Sequence, residues 1–558
     1  MTKLQSTVRR RQSLPILAVE PEARTLLRLK GRAFSLTLAG AIALGVLVRV
    51  YHVLSQDFPL NDGGLFYAMA RDLQAAGFRL PAFTSYNEAS IPYGYSPLGF
   101  YLAGWLDAAT PLSLLETFRW LPLVVTCLTV AAFAGLARAL LAQRAAVVAA
   151  VLAFALLPRS FIWMLMGGGL TRSLGFLFAL VTLLQLYRLY TRQDWRLVPG
   201  VAVGAALTAL SHLGTAPFLT FSSVLLLLAY GRHRHALVSS LVAALGALGL
   251  SAPWWGQVLA VHGPGPFLAA GATGGSIFSG LTLWETVHTL AISGLGTGES
   301  VLGLIGMLGA LGFFYSLSRG EWLLPAWWIA IVVLDARQGS TFATVPIALL
   351  AGVTVVHLLL PAISRATAPA TLRRNPGRHA WAPAAVLGLF LVFSTVTAFL
   401  RRPEVTGGLP DLTSLSPAER AAMRWVANET PRSARMLVVS GTPWEIDRSS
   451  EWLPVLGERV SVATVQGYEW RPVGQFVSKK RQYNDLQGCA RWISACLADW
   501  SRSTGVGYTH VYIPRSANRE CCHLLLYSLA RDPEYQRVYD QAGAVVFVRR
   551  EPSLAATP

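Results

Sequence analysis

Long hydrophobic runs, separated by short polar segments, occupy the chain from residue 33 to residue 400. A helix needs about 20 predominantly apolar residues to cross a bilayer. Several of the runs are shorter, and we expect them to extend into the flanking segments. The pattern predicts eleven membrane-spanning helices, near residues 33–54, 119–140, 145–157, 172–190, 197–212, 215–230, 236–256, 300–316, 322–334, 341–360 and 381–400.

Basic residues concentrate in alternate loops between these runs. A cleavable signal peptide has a shorter apolar region and a small-residue cleavage site, whereas the first run is long enough to span, so we expect it to be retained. Because lysine and arginine are enriched in cytoplasmic loops, the N-terminus is predicted to be cytoplasmic. The loops then assigned to the cytoplasm are 138–144, 188–196, 231–235, 318–321 and 361–380.

The short apolar stretch 98–110 would break this alternation if it crossed the membrane. We therefore predict that it stays on the outer side as an interfacial or re-entrant helix. This assignment leaves a long first outer loop, residues 55–118. Loops of that length are uncommon, and those that are structured are usually functional.

The pattern changes after residue 400 from long apolar runs to short alternating ones. Ser416, Pro417 and Glu419 are typical of a capped helix start. Strands are predicted at 435–440, 459–465, 509–514 and 544–550. We therefore predict a polytopic α-helical membrane protein in three parts. They are a basic cytoplasmic segment (1–32), a transmembrane domain (33–401) and an extracytoplasmic α/β domain (402–558).

The composition agrees with a membrane protein. Hydrophobic residues make up 53% of the 558 residues and charged residues 14%, against about a quarter in soluble proteins. The formal net charge is +18. Because the basic residues lie in short clusters between apolar runs, they indicate membrane topology rather than nucleic-acid binding. We expect an integral protein of the plasma membrane that contacts membrane lipid and binds no nucleic acid.

Four of the five cysteines lie in the predicted outer domain, as expected in an oxidising compartment. Adjacent cysteines pair with each other only under strain. We therefore expect Cys521 and Cys522 to pair with Cys489 and Cys496, in an order that the sequence leaves open. Free thiols are the alternative, and the spacing lacks the CxxC of common zinc sites.

The first outer loop contains the segment FPLNDGGLFYAMARDL, residues 58–73. In it, Asp62 precedes two glycines and an amphipathic stretch, 65–76, that is predicted to lie as a helix in the membrane interface. An aspartate here has two interpretations, the N-cap of that helix or a catalytic carboxylate at the membrane surface. The two are compatible with each other.

Further residues predicted on the same side of the membrane are candidates for substrate binding. Outer arginines run against the positive-inside trend, and arginine offers paired donors to a lipid-linked phosphate. The alternatives are an exposed acid, interfacial aromatic residues, snorkelling anchors and a capping histidine. The candidates are Glu88, Tyr93, Tyr95, Arg159, Arg172, His212 and Arg337, with Asp335 as a local partner of the last.

The order of these features resembles the GT-C superfamily of integral-membrane glycosyltransferases. This group includes protein O-mannosyltransferases, aminoarabinose transferases and oligosaccharyltransferases. The matching features are Asp62, YSPLGFYLAGWL at 95–106, FRWLPLVVTCLTVAAFAGLARAL at 118–140, and Arg159 at the start of the second outer loop. The resemblance covers roughly residues 33–230, together with the plan of a polytopic core and an outer C-terminal domain.

The resemblance implies transfer of a sugar from a polyprenyl-phosphate donor to a hydroxyl group, with inversion at the anomeric carbon. The acceptor would be a protein, a lipid or a glycan. Asp62 would be the general base that takes the proton of the acceptor hydroxyl. Arg159, Arg172 or Arg337 would neutralise the phosphate leaving group.

The chain departs from the family pattern at two places. Metal-dependent oligosaccharyltransferases carry Asp-x-Asp in the second outer loop, where this chain reads GGGLTR. This departure weakens the case for a divalent metal at that position but leaves a metal open, with Glu299 as a distant candidate ligand. Gly63 stands where the family has a second acid after Asp62.

Two other functions stay open, a lipid or glycan transporter and a non-enzymatic envelope protein whose outer domain binds glycan. Transporters tend to contain repeated halves and broken helices in the middle of the membrane. This chain has no evident repeat, and its polar candidates gather at one face, which favours surface chemistry over transport.

Overall fold

The computed structural model describes residues 31–57, 59–273, 297–299, 302–334, 339–366, 381–399, 412, 415–515 and 521–550, with the side chains of 364–366 and 381–384 excepted. Helices dominate the described chain up to Phe399, and a five-stranded sheet lies in the part that follows. The predicted basic segment 1–32 therefore lies almost wholly outside the described residues.

The helices of the first part lie close to the predicted spans, and one is found at each of the eleven positions. Their ends differ from the predicted ones by a few residues, because caps and turns decide where a helix stops. They are α1 (Gly31–Leu54), α2 (Gly64–Ala75), α3 (Leu98–Ala109), α4 (Leu114–Leu140), α5 (Arg144–Leu156), α6 (Ile162–Leu165), α7 (Gly169–Arg192), α8 (Val198–Ser211), α9 (Thr215–Tyr230), α10 (Arg234–His262), α11 (Gly265–Thr273), α12 (Leu304–Ser318), α13 (Leu323–Leu334), α14 (Gly339–Phe342), α15 (Thr344–Thr354), α16 (Leu360–Ala366) and α17 (Trp381–Phe399).

Five helical segments among the described residues are long and apolar enough to cross a membrane: α1, α4, α7, α10 and Gly339–Ile363. A sixth results if the pair Arg144–Leu156 and Pro158–Leu165, bent by 80°, crosses as one span. The other apolar helices are shorter. The 14 residues of α8, for example, extend roughly 21 Å against about 30 Å of hydrocarbon. The chain therefore has the helices of an integral membrane protein, and eleven spans stay a prediction.

The long helices differ in how much of their surface the protein covers. The apolar window of α7 is 72% buried, whereas that of α10 is 22% buried. On α10, the side chains of Leu237, Leu241, Leu245 and Leu248 are each more than half exposed, and their spacing places them along one side of the helix. An exposed leucine stripe suits contact with lipid, so α10 lies at the rim of the bundle and α7 at its centre.

The first loop folds over one end of the helical part. It contains α2, the antiparallel pair β1 (Phe83–Thr84) and β2 (Ile91–Pro92), and α3. The amphipathic stretch predicted at 65–76 is the helix α2, which buries Leu65, Met69 and Leu73. The apolar stretch predicted at 98–110 is α3, which packs against α2, α4 and α7. Because α2 also packs against α4 and a helix of the C-terminal part, it is covered by protein on more than one side.

The C-terminal part forms a sheet with the strand order β4-β3-β5-β7-β6. The strands β4, β3 and β5 are parallel to one another, and β7 and β6 are antiparallel to their neighbours. The elements are α18 (Pro417–Glu429), β3 (Arg435–Val438), α19 (Arg448–Leu456), β4 (Val460–Ser461), α20 (Val473–Gly488), α21 (Ala495–Thr504), β5 (His510–Pro514), α22 (His523–Leu529), β6 (Tyr535–Gln541) and β7 (Ala544–Arg549).

Alternate residues of the strands face two different cores. Met436 and Val438 join the core shared with the helical part, whereas Leu437 and Val439 join a second core with α20, α21 and α22. This is the period of two expected of a strand. The sheet therefore turns one face toward the helical part. The predicted domain boundary at 401/402 lies outside the described residues and stays a prediction.

The cysteine pairing predicted from the sequence is wrong. In the structure Cys489 is bonded to Cys496, and Cys521 is bonded to Cys522. A turn after α20 brings Cys489 back to the first turn of α21, so that the Cα atoms of Cys489 and Cys496 are 5.6 Å apart. That separation lies within the usual range for a disulfide. With both of these cysteines used, the adjacent pair bonds to itself.

Candidate active site

A cavity of about 850 Å³ lies between the first loop, the helical part and the sheet part. Its helical wall includes Asp62, Tyr95, Arg172 and His212. The opposite wall comes from the sheet part and carries charged and aromatic side chains. They are Trp444, Glu445, Arg448, Glu451, Glu469 and Trp470. A pocket of this size can hold a ligand as large as a typical cofactor.

The Asp62 carboxylate is held by groups from the start of α7. Its Oδ1 accepts a hydrogen bond from the Gly168 amide at 2.9 Å, and Arg172 Nη2 donates to Oδ2 at 2.9 Å. The helix that follows begins at Gly64, with Gly63 as its N-cap residue and no side-chain cap. The interpretation of Asp62 as a helix cap is therefore wrong, and its side chain is turned toward Arg172 instead.

The triple glycine allows this close approach. A Cβ on Gly167 would lie 2.0 Å from the Asp62 carbonyl oxygen. One on Gly168 would lie 2.7 Å from Arg172 Nη2 and 2.8 Å from Asp62 Oδ2. A side chain at position 168 would therefore displace the ion pair, and one at position 167 would displace the backbone of Asp62. The Gly167 amide also donates to the Leu60 carbonyl oxygen at 2.9 Å, which fixes the first loop against α7.

A second carboxylate at the cavity comes from the sheet part, and sequence reasoning missed it. Glu451 Oε1 accepts hydrogen bonds from the Gly63 and Gly64 amides, at 2.8 Å and 3.1 Å. Its Oε2 pairs with Arg448 Nη1 at 2.8 Å. Gly64 has no room for a side chain, because a Cβ there would lie 2.6 Å from the Glu451 carbonyl oxygen. The NDGG segment is therefore clamped between α7 and α19.

Two further hydrogen bonds join α19 to the first loop. Trp452 Nε1 donates to the Asn61 carbonyl oxygen at 2.9 Å, and the Tyr86 hydroxyl donates to the Glu451 carbonyl oxygen at 2.6 Å. The only sequence signal for this contact was the pair of glycines at 63 and 64, which permits close approach of another backbone. Nothing in the sequence indicated which backbone it would be.

The charges around the cavity move the pKa values of the two carboxyl groups in opposite directions. Burial alone would raise the pKa of Asp62. The guanidinium groups of Arg172 and Arg448 and the Gly168 amide outweigh it and hold the pKa below its usual value. Burial raises the pKa of Glu451, and the nearby Asp62 adds to the rise, against the opposing effect of Arg448. The surroundings therefore favour the ionised form of Asp62 more than they favour that of Glu451.

The other predicted site residues divide into three groups. Tyr95 and His212 line the cavity. Tyr93 does not line it, because its ring is buried and its hydroxyl donates to the Met69 carbonyl oxygen at 2.7 Å. Glu88 is exposed and lies outside the cavity lining, as does Arg159, whose amide donates to the Thr297 carbonyl oxygen at 3.3 Å. Arg337 and Asp335 lie outside the described residues.

The described residues offer no set of metal ligands. No group of three or more His, Cys, Asp or Glu side chains in the described part comes together as a metal site. The Asp62 carboxylate already accepts hydrogen bonds from Arg172 and the Gly168 amide. The Glu451 carboxylate accepts them from backbone amides and Arg448. Glu299 caps α12, accepting from the Ile305 and Gly306 amides at 2.9 Å and 3.0 Å. Within the part of the chain that the structure describes, the residues at the cavity therefore do not fit a divalent metal.

No family model matches the chain, and no curated protein matches it. Solved structures do. The archaeal oligosaccharyltransferase AglB from Archaeoglobus fulgidus, in complex with an inhibitory peptide and a dolichol-phosphate, is 14% identical with a TM-score of 0.52 over 86% of this chain and 69% of its own. ArnT from Cupriavidus metallidurans, bound to undecaprenyl phosphate, is 15% identical with a TM-score of 0.50. The match covers 94% of this chain and 99% of the ArnT chain. The arabinofuranosyltransferase AftD from Mycobacteria is 16% identical with a TM-score of 0.52. The match covers 92% of this chain and 41% of the AftD chain.

These three proteins are GT-C superfamily glycosyltransferases. The chain has the GT-C fold. The resemblance predicted from the sequence is therefore confirmed at the level of the fold. At identities of 14–16% the likeness carries no residue roles with it, and the roles of the residues at the cavity depend on the geometry of this chain.

Proposed function

We propose that the protein is a membrane glycosyltransferase that moves a sugar from a polyprenyl-phosphate donor to an acceptor hydroxyl group. The observation that carries the proposal is the Asp62–Arg172 pair, which lines a large cavity in a chain with the GT-C fold. The Asp62 carboxylate can accept a proton, and the Arg172 guanidinium can bind a phosphate. AglB and ArnT, which share the fold, were solved with polyprenyl phosphates.

The donor's phosphate would bind at Arg172. Guanidinium groups donate paired hydrogen bonds to phosphate oxygens, and these bonds are stronger where the site is shielded from water. The Arg172 side chain is only 11% exposed, and Nη2 is the atom that faces Asp62. Nη1 takes part in neither of its bonds to Asp62, so it remains directed elsewhere with two N–H donors of its own.

The transfer itself would be a single displacement at the anomeric carbon. The acceptor oxygen forms a bond to that carbon, and the bond from the carbon to the phosphate oxygen breaks. The acceptor's proton passes to Asp62, and the polyprenyl phosphate leaves as an anion paired with Arg172. Attack from the side opposite the leaving group inverts the anomeric carbon.

A lowered pKa makes Asp62 a weak base before the donor binds, and general bases work best when their pKa lies near the working pH. Donor binding changes this balance. A phosphate at Arg172 offsets the positive charge that lowers the pKa of Asp62, so the carboxylate becomes more basic when the substrate is present. The enzyme would then take the acceptor proton only in the productive complex.

The acceptor would reach the anomeric carbon from the wall that the sheet part supplies. That wall carries Glu445, Glu469 and Trp444, which suit hydroxyl groups and sugar rings better than they suit an anion. We further propose that the predicted topology holds, with the sheet part and the cavity on the extracytoplasmic face. The basic loops predicted for the cytoplasm support this orientation.

A transfer assay with the purified full chain tests the proposal. Undecaprenyl-phosphate and dolichyl-phosphate sugars are offered singly as donors, and loss of the donor and appearance of polyprenyl phosphate are followed by mass spectrometry. We expect at least one donor to be consumed. A chain that neither consumes nor binds any donor of a broad panel would contradict the enzyme and favour the glycan-binding alternative.

A further inference from the structure

Arg448 lines the cavity from the sheet part. It lies at the first position of α19, where Asp447 caps the helix by accepting from the Ser450 amide at 3.0 Å. Its guanidinium is oriented by two contacts, from Nη1 to Glu451 Oε2 at 2.8 Å and from Nη2 to the Glu445 carbonyl oxygen at 2.7 Å. The side chain is 12% exposed, so the group is fixed and shielded from bulk water.

Arg448 and Arg172 act on the same carboxylate from opposite walls. Arg172 is bonded to Asp62, and Arg448 stabilises the charge of Asp62 through space. Both side chains line the cavity. Each guanidinium carries five N–H groups, and the contacts of Arg448 to Glu451 and Glu445 use two of them. Donors therefore remain on both terminal nitrogens of Arg448.

We propose that Arg448 is a second phosphate-binding residue, so that the donor's phosphate is held between one guanidinium from the helical part and one from the sheet part. The proposal rests on the glycosyltransferase function proposed above. Asp62, Glu451, Arg172 and Arg448 all line the cavity, so that two guanidinium groups lie there beside two carboxyl groups. Two backbone amides already donate to Glu451, so that this carboxylate depends less on Arg448 as a partner.

This arrangement would make the site complete only when the sheet part is docked on the first loop. The bond from α19 to Gly63 joins residues 388 positions apart, so the docking brings together two distant regions of the chain. A shared phosphate would strengthen the docking, because it bridges the two walls. The sheet part would thus take part in donor binding as well as in acceptor binding.

Binding to undecaprenyl phosphate, measured with the full chain in nanodiscs, tests the proposal without requiring turnover. Undecaprenol, which lacks the phosphate, and inorganic phosphate, which lacks the lipid, are the comparison ligands. The variants are Arg448→Gln, which can still donate to Glu451, and Arg448→Lys, which keeps the charge but loses the planar fork. Arg420→Met is the matched control, because Arg420 also pairs with the first loop, at Asp57, but lies outside the cavity lining.

We expect Arg448→Gln to weaken undecaprenyl phosphate binding about tenfold or more, and Arg448→Lys to weaken it less. Undecaprenol binding should be equal in all variants, and Arg420→Met should bind like the wild type. Competition by inorganic phosphate would show that the head group alone is recognised, whereas failure to compete would show that the lipid must be attached.

Wild-type affinity for undecaprenyl phosphate in both Arg448 variants would overturn the proposal. If Arg448→Gln does not fold, an unchanged affinity in Arg448→Lys would do so, because lysine cannot reproduce two parallel donors. A wild-type chain that binds undecaprenyl phosphate no better than undecaprenol would instead count against the proposed function itself. The two failures are therefore distinguishable.

Discussion

Two ion pairs hold the first loop. Their N···O distances are similar, but their exposure to solvent and their surroundings differ. Asp62 pairs with Arg172 at 2.9 Å, and Asp57 pairs with Arg420 at 2.7 Å. The Asp62 side chain is 22% exposed and that of Asp57 is 47% exposed. The first pair lines the cavity and has the guanidinium of Arg448 acting on its carboxylate, whereas the second pair lies outside the cavity lining. Distance therefore does not distinguish a surface pair from a candidate catalytic pair, whereas burial and the convergence of charges do.

Replacing each aspartate by asparagine should separate the two pairs most strongly. We expect Asp62→Asn to reduce transfer by about a thousandfold or more, because an amide cannot take the acceptor proton. Asp57→Asn removes the same charge from the same loop and should leave the rate within about twofold, since exposed pairs contribute little. Rates are compared at saturating donor. Equal rates in the two variants would show that Asp62 is not the base.

Glu419 precedes Arg420 in α18, but its side chain is buried, whereas Arg420 pairs with Asp57 at the surface. Its titration therefore sharpens the comparison between buried and exposed charges. Burial raises the pKa of Glu419 from 4.5 to about 7, with Asp447 adding to the rise and the Ser449 hydroxyl opposing it. The fold therefore favours the neutral acid. The raised pKa of Glu419 contributes up to about 3 kcal/mol to the free energy of unfolding. This contribution is fully present below pH 4.5 and is lost as the pH rises through 7.

The measurement is the melting temperature of the wild type and of Glu419→Gln between pH 4 and pH 8. Glutamine mimics the neutral acid, so the variant should lose less stability over this range than the wild type does. Parallel curves for the two proteins would show that Glu419 does not titrate in this window.

Removing the arginines tests stability rather than catalysis, with the smallest expected effect. Arg172→Met leaves a partly buried carboxylate without its partner and should lower the stability by about 1–3 kcal/mol. Arg420→Met should cost less than about 1 kcal/mol, because its partner is well solvated. Thermal unfolding of both variants in the same detergent provides the comparison. A larger loss in Arg420→Met would reverse the ranking of the two pairs.

Much of the fold could be predicted from the sequence. The hydrophobic runs marked the helices, and alternation marked β3, β4, β5 and β7, because both signals are local. The strand β6 was missed, since YQRVYDQ is mostly polar and lies at the edge of the sheet, where little of it is buried. The cysteine pairing was wrong because it depends on how α20 and α21 meet.

The candidate site was predictable only on its helical wall. Asp62, Arg172, Tyr95 and His212 were identified and line the cavity. Tyr93 and Tyr95 are two residues apart, yet only Tyr95 lines it, because the turn between β2 and α3 directs the two rings to different places. The sheet wall, with Glu451 and Arg448, carried no motif that pointed to it.

The sequence by itself determined where the apolar helices lie, which loop is long, and that an aspartate followed by two glycines stands at its start. These properties follow from side chains close together along the chain. Only the tertiary structure decided what that aspartate meets. The glycines at 63, 64, 167 and 168 remove the side chains that would keep three backbones apart, and the docked sheet then brings Arg448 and Glu451 to the loop. Electrostatic partners are chosen by that proximity in space, which spacing along the chain does not encode.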